Sequence, residues 1–145
     1  MIIELEQTLL EEIQRHGEQA YPEEGAGLLL GRSGGGSRRA VQILPRTNSR
    51  EEQARHNRYL ISPQDILQAE IIAESRGMDV IGVFHSHPDH PAEPSEFDRE
   101  WAMPWFSYMI TSVAGGRAQD SRSWRLSDDR SRFDEEEIRV KVPSQ

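Results

Sequence analysis

One apolar, β-branched run constrains the fold of this chain more than any other segment. Residues 80–84 read Val-Ile-Gly-Val-Phe, a composition typical of a central strand that is buried on both faces. The run continues through His85, Ser86 and His87 and stops at Pro88, which has no backbone donor for a further ladder position. The sequence therefore predicts a central strand that ends in two histidines.

Hydrophobic periodicity and turn residues predict the elements around this strand. Helices are predicted over residues 3–17, 62–77 and 95–103, and further strands over residues 26–31, 40–44, 59–61, 107–113, 123–126 and 138–142. Glycines predict a hairpin turn at residues 33–37, and polar residues 47–57 predict a surface loop. Three helices and about seven strands favour an α/β fold in which a mixed β-sheet is flanked by helices.

Composition limits the classes of function that are open to the chain. Its 145 residues are enough for one domain, which we expect to span residues 1–145. A net charge of -8 opposes binding to nucleic acid or to anionic membranes. The absence of cysteine excludes disulfides, thiolate metal ligands and a thiol nucleophile. An acidic N-terminus and the lack of a long apolar run predict a cytoplasmic protein with no membrane span.

The two strand histidines are candidate metal ligands. His85 and His87 are two residues apart, so their side chains point to the same face of the predicted strand. Imidazole nitrogens bind zinc at about 2.0–2.1 Å, and Asp98, in the first turn of the next helix, is the natural third ligand. Two histidines and one carboxylate leave a fourth position for water, as a catalytic zinc site requires.

Such a water needs a general base, and two acidic residues qualify. Glu23 and Glu24 both precede a strand bounded by glycines, and the residues alone do not choose between them. Ser95, three residues before Asp98, could donate a hydrogen bond to a developing oxyanion.

Simpler interpretations apply to the same residues. Ser95 and Asp98 have the spacing of a capping box, which stabilises a helix without any metal. Glu23 and Glu24 could be solvated charges at the surface. We assign His90 to a loop, His16 and His56 to the surface, and three aromatic residues to the core, namely Trp101, Trp105 and Phe106.

Taken together, these motifs resemble the JAMM (MPN+) metalloprotease family. The resemblance rests on Glu24-Gly25-Ala26-Gly27-Leu28, on His85-Ser86-His87-Pro88 and on Ser95-Glu96-Phe97-Asp98, and it extends over nearly the whole chain. Pro104-Trp105 and the strand Ser123-Trp124-Arg125-Leu126 resemble the small, single-domain prokaryotic branch of the family. The resemblance implies a layered fold similar to that of cytidine deaminases, with a zinc site at the edge of the sheet.

The resemblance also implies a role for each residue of the motif. It makes His85, His87 and Asp98 the ligands of one Zn²⁺ per chain, Glu24 the general base and Ser95 the oxyanion stabiliser. The resemblance implies cleavage after the C-terminal diglycine of ubiquitin-like proteins, as in relatives of the family, and the small bacterial members resemble enzymes that act on sulfur-carrier proteins of that shape. We therefore expect a partner protein of this class.

Three other functions remain open at this stage. The first is a non-catalytic MPN-type interaction module. The presence of all three candidate zinc ligands argues against it. The second is a DNA-associated protein, which the net charge of -8 disfavours. The third is an amidohydrolase of small molecules, which would use the same residues. For a protein substrate, we expect an extended tail to pair beside a strand or loop edge near the metal, with residues 47–57 as a surface for the folded carrier.

Overall fold

The computed structural model of the chain describes residues 1–46 and 61–142. Its elements run in the order β1 (Ile2–Glu6), α1 (Gln7–Ala20), β2 (Ala26–Gly34), β3 (Ser37–Pro45), α2 (Pro63–Ser75), β4 (Asp79–Pro88), α3 (Glu96–Trp101), β5 (Ser107–Ala114), β6 (Arg117–Leu126) and β7 (Phe133–Lys141). The predicted loop at 47–57, most of the predicted strand at 59–61 and His56 lie outside the described residues.

The strands named above form one mixed sheet. Their order is β1-β3-β2-β4-β5-β6-β7, and β1 also pairs with β7, so that the sheet closes on itself. The β1–β3, β1–β7 and β4–β5 pairs are parallel and the others are antiparallel. This pairing confirms the predicted α/β class and the mixed sheet, whereas the closure through β1 is not predicted by the sequence.

The N-terminal segment differs from its prediction. The helix predicted over residues 3–17 begins only at position 7, because residues 2–6 form β1. Ile3 and Leu5 are buried and alternate with more exposed neighbours, which is the period of a strand. The prediction was wrong because Leu5, Leu9 and Ile13 also fit a helical period, and the partners of β1 come from distant parts of the chain.

The predicted central strand is confirmed as β4. It pairs with β2 on one side, where Ala26 lies opposite His85, and with β5 on the other side, where His85 lies opposite Ile110. Both strand edges are therefore occupied up to the histidines, and the backbone that carries them is held from two directions.

The local turn and helix signals are also confirmed. The β2–β3 hairpin turns at Gly35 and Gly36, whose φ angles of 60° and 82° suit glycine. Ser62 begins α2 with a capping box, and Gly77, with a φ of 69°, follows the end of that helix. These features depend on a few neighbouring residues, so the sequence predicts them well.

The two faces of the sheet bury separate apolar clusters. On one face α1 packs on residues from β2, β4 and β5, among them Leu29, Phe84 and Met109. On the opposite face α2 packs near Leu28, Val83 and other residues of the second cluster. Helices thus lie on both faces around β4, while the likeness to cytidine deaminases stays a prediction. No helix in the described ranges has the length and apolarity that a bilayer crossing needs.

Two of the three aromatic residues assigned to the core lie on the surface. Trp101 and Trp105 are 63% and 61% exposed, whereas Phe106 is buried as predicted. Phe106 and Tyr108 are the nearby aromatic residues that are buried in the second apolar cluster. The prediction failed for the tryptophans because hydrophobicity alone does not show which side of a short helix or turn faces the sheet.

The close approach of β4 and β5 generates a stability prediction. A Cβ on Gly82 would lie 2.2 Å from the backbone oxygen of Ser107, so Gly82→Ala forces two central strands apart. We expect this variant to lower the free energy of unfolding by about 1–3 kcal/mol in chemical denaturation. Gly34→Ala is the control, because its Cβ would have nothing within 4 Å, and it should change stability by less than about 0.5 kcal/mol. Equal effects of the two variants would contradict this account of the packing.

Candidate metal centre

The two strand histidines share one face of β4, as their spacing predicts. His85 is 1% exposed and His87 is 8% exposed. Their Nε2 atoms are 3.1 Å apart and the two rings are tilted by 50°. Two imidazole nitrogens therefore converge on one point at the end of a rigid central strand.

Asp98 completes this cluster from another element. It is buried in the first turn of α3, and its Oδ1 lies 3.4 Å from the Nε2 of His85 while its Oδ2 lies 3.3 Å from the Nε2 of His87. The capping box sets this position, because the backbone N–H of Ser95 donates to Oδ2 at 2.7 Å and the backbone N–H of Asp98 donates to the Ser95 hydroxyl at 3.1 Å. The capping interpretation is thus correct, and it also orients the carboxylate towards the histidines.

The three groups are close enough together to bind one ion. The two histidine Nε2 atoms are 3.1 Å apart, and each lies 3.3–3.4 Å from one of the two Asp98 oxygens, His85 from Oδ1 and His87 from Oδ2. Ligand atoms on a zinc ion at about 2.0–2.1 Å are separated by distances of this order. His85, His87 and Asp98 form a group of residues that could hold a metal ion. Nitrogen and carboxylate donors without thiolate suit zinc well.

The electrostatics of the cluster shift the pKa values of the two histidines in opposite directions beside an ionised carboxylate. Burial lowers the pKa of His85 and outweighs the opposing charge of Asp98. Burial alone would raise the pKa of Asp98, but the two histidines and the Ser95 N–H hold that pKa well below its usual range. For His87, burial is outweighed by hydrogen bonds to Asp98 and Pro91 and by the charges of Asp98 and Glu24, so its pKa is raised.

The second nitrogen of His87 has a partner that sequence reasoning missed. Its Nδ1 lies 2.9 Å from the carbonyl oxygen of Pro91, so the hydrogen of the neutral ring belongs on Nδ1 and the lone pair of Nε2 faces the cluster. The loop that supplies this carbonyl is itself anchored, since Trp124 Nε1 donates to Ala92 O at 3.0 Å and Ser112 Oγ donates to His90 O at 2.6 Å. No sequence signal marks a backbone carbonyl as a partner.

A cavity of about 640 Å³ opens beside the cluster and contains the two other candidate residues. Its lining includes Glu24, His87 and Ser95, together with the proline-rich loop after β4. Glu24 is partly buried just before β2, and its charge acts on His87. Glu23 is not among the described residues that line this cavity.

Two further histidines can now be placed. His90 is exposed in the loop after β4, as expected, and also lines the cavity. His16 is only partly exposed, which corrects its assignment to the surface, because it packs edge-on against Phe84 with ring centroids 5.4 Å apart. Burial lowers the pKa of His16. The sequence did not show that this position of α1 faces the sheet.

Comparison with known proteins identifies the family. The family described as prokaryotic homologues of the JAB domain matches residues 6–127. The chain therefore belongs to this family, and the resemblance to JAMM/MPN+ proteins of the small prokaryotic branch is confirmed.

Individual relatives agree with this assignment. A protein of Thermus thermophilus named "Probable TtuB-protein conjugate cleaving protease" is 31% identical over 121 residues, which cover 81% of this chain and 75% of the relative. The solution structure of a Desulfitobacterium hafniense protein is 33% identical, has a TM-score of 0.83 and covers 97% of this chain and 94% of its own. A JAB1/MPN domain protein of Archaeoglobus fulgidus, 20% identical with a TM-score of 0.58 and 96% coverage of both chains, shares the fold.

The geometry of the cluster generates a prediction on metal content. We expect one zinc ion per chain in the wild type, and a loss of nearly all of it in the His85→Ala, His87→Ala double variant, because two of three ligands are removed. His90→Ala is the control, since His90 lies two residues after β4 and lines the same cavity as His87, but is outside the cluster. Elemental analysis of the purified proteins measures the difference. Full zinc content in the double variant would show that the metal binds elsewhere.

Proposed function

We propose that this chain is a single-domain zinc hydrolase that cleaves the peptide or isopeptide bond after the C-terminal Gly-Gly of a ubiquitin-like or sulfur-carrier protein. The observation that carries the proposal is the convergence of His85, His87 and Asp98 beside a cavity that Glu24 and Ser95 also line. The name of the Thermus thermophilus relative, a conjugate cleaving protease, supports the substrate class.

In this proposal Glu24 is the general base. His85, His87 and Asp98 would hold a zinc ion, which would supply a Lewis acid able to lower the pKa of water from 15.7 to about 7 and to polarise the scissile carbonyl. The Glu24 carboxylate accepts the proton of the attacking water and then delivers it to the leaving amine nitrogen. Its place in the wall of the cavity, just before β2, supports this role over Glu23.

Ser95 has hydrogen-bonding capacity for a second role. Its oxygen accepts the N–H of Asp98, and its own O–H remains a donor that a hydroxyl can direct elsewhere. Ser95 is exposed in the lining of the cavity, so this hydrogen can point to the oxygen of a substrate carbonyl. One side chain would then both cap α3 and stabilise an oxyanion.

The closed sheet changes how a substrate tail would approach. A strand edge beside the histidines was one expected docking place, but β4 is paired with β2 on one side and with β5 on the other. An added strand is therefore excluded along residues 82–85 of β4, which are paired on both sides. The loop edge, the other expected place, lies along the cavity at residues 88–95, where a narrow, unbranched tail such as Gly-Gly would approach the ligands.

The first test of this function measures conjugate cleavage and the base together. Zinc-loaded protein is incubated with a diglycine-tailed carrier protein fused through its last glycine to a reporter. We expect cleavage, a loss of at least about 10²-fold in kcat for Glu24→Gln with zinc retained, and little change for Glu23→Gln, since an amide cannot accept the proton.

The same assay contains the results that would contradict the proposal. If Glu23→Gln lost activity and Glu24→Gln did not, the assigned base would be wrong. Equal rates on glycine and alanine tails, or efficient cleavage of short amides without a carrier, would indicate a small-molecule amidohydrolase. No cleavage of any amide by zinc-loaded protein would indicate a non-catalytic module.

The second test separates the two roles of Ser95 by using the other capping box of the chain. Ser62 caps α2 with the same geometry, because its hydroxyl accepts the N–H of Asp65 at 3.1 Å, but it does not line the cavity. Ser95→Ala and Ser62→Ala should each lower the free energy of unfolding by about 1 kcal/mol. Only Ser95→Ala should also lower kcat, by about 10²–10³-fold and with zinc retained, because a displaced Asp98 would lower the zinc content as well. Equal kcat values for the two variants would leave Ser95 with the capping role alone.

A further inference from the structure

Ser86 lies between the two candidate histidine ligands but faces the other side of β4. It is 2% exposed and packs beneath α1, so close that a Cβ on Gly17 would lie 3.1 Å from the Cβ of Ser86. The proposed reaction gives this buried hydroxyl no part, because it cannot reach a substrate in the cavity. Its hydrogen bonds nevertheless connect it to the catalytic segment.

Two hydrogen bonds join Ser86 to Gly25, the residue directly after Glu24. The backbone N–H of Ser86 donates to the carbonyl oxygen of Gly25 at 3.0 Å. In return, the backbone N–H of Gly25 donates to the Ser86 hydroxyl oxygen at 2.8 Å. In a regular antiparallel pair both bonds join backbone groups, so here a side chain replaces one ladder acceptor at the point where β2 begins.

Packing on the opposite side of Gly25 leaves little room for movement. A Cβ at this position would approach His16 Nδ1 to 2.8 Å and the Cβ of Ala20 to 3.0 Å. Gly25 is therefore enclosed between α1 and the Ser86 side chain, and its buried N–H depends on the Ser86 oxygen as its acceptor. Loss of that oxygen would release the backbone next to Glu24.

We propose that Ser86 is a positioning residue, whose hydroxyl holds Gly25 and thereby fixes the Glu24 carboxylate relative to His85 and His87. This inference rests on the proposed function, in which Glu24 is the base. Ser86 stands between the two histidines in β4. Its hydrogen bonds to Gly25 therefore tie the segment of the proposed base to the same strand that carries the proposed ligands. A displacement of about 1 Å at a reacting group can cost 10²-fold in rate, so a small shift of Gly25 has a large effect.

The test compares Ser86→Ala and Ser86→Thr with a matched control, all as zinc-loaded full-length chains. The control is Ser107→Ala. Ser107 is also fully buried in a central strand, and its hydroxyl also accepts a hydrogen bond, from Arg38 Nη1 at 3.1 Å. That bond does not involve the Glu24 segment. The measurements are zinc content, kcat and KM on the carrier conjugate, and hydrogen exchange of the Gly25 amide.

We expect Ser86→Ala to keep zinc, to lose about 10-fold or more in kcat with KM little changed, and to exchange the Gly25 amide faster. Ser107→Ala should keep kcat even if it is equally destabilised. In Ser86→Thr, which retains a hydroxyl, kcat should recover to the extent that the Gly25 amide is again protected. Unchanged kcat in Ser86→Ala, loss of zinc from it, or a protected Gly25 with low kcat in Ser86→Thr would overturn the proposal.

A second measurement does not depend on any substrate. Crystal structures of the zinc-loaded wild type and Ser86→Ala should show the Glu24 carboxylate displaced by about 1 Å relative to the histidines. An unmoved carboxylate would overturn the positioning role even if the conjugate is cleaved. If the wild type cleaves no amide at all, the proposed function fails, while the position of Glu24 in the two structures still decides what Ser86 does.

Discussion

The capping box of Ser95 and Asp98 is the interaction on which the candidate metal centre depends. A six-residue helix such as α3 has too few internal hydrogen bonds to be stable alone. Its first turn is held by two reciprocal hydrogen bonds, and one of them ends on the carboxylate oxygen that also faces His87. Helix formation and the orientation of the third candidate ligand are therefore the same event.

Burial of this carboxylate would be costly without its partners. Asp98 is 4% exposed, and two histidines together with a backbone N–H offset the loss of hydration. A bound divalent cation would supply a further opposite charge at the same point. The cluster therefore concentrates compensating charge where β4 and α3 meet, which is the arrangement expected of a metal site and unusual for an ordinary core.

The pairing of β2 with β4 is the second constraint, because it brings a carboxylate beside histidines that lie 61 residues later, measured from Gly25 to Ser86. The closed sheet supports this pairing from both sides. The strand β4 holds His85 and His87, while Glu24 lies on the short connection before β2, next to Gly25, whose N–H donates to the Ser86 hydroxyl. The candidate site thus combines side chains on a central strand with one on a connection that is hydrogen-bonded to the same strand.

The sequence by itself determined the features that depend on near neighbours: β4 with its two histidines, the capping boxes at Ser62 and Ser95, and the glycine turn of the hairpin. Hydrogen bonds and side-chain alternation over a few residues are enough for these. Only the tertiary structure decided that residues 2–6 form a strand, that Trp101 is exposed, and which groups surround the histidines. The bond from Gly25 to Ser86 joins segments that are 61 residues apart, and it forms only when β2 pairs with β4. The contact of His87 with the Pro91 carbonyl is local, but a backbone carbonyl carries no side-chain signal in the sequence.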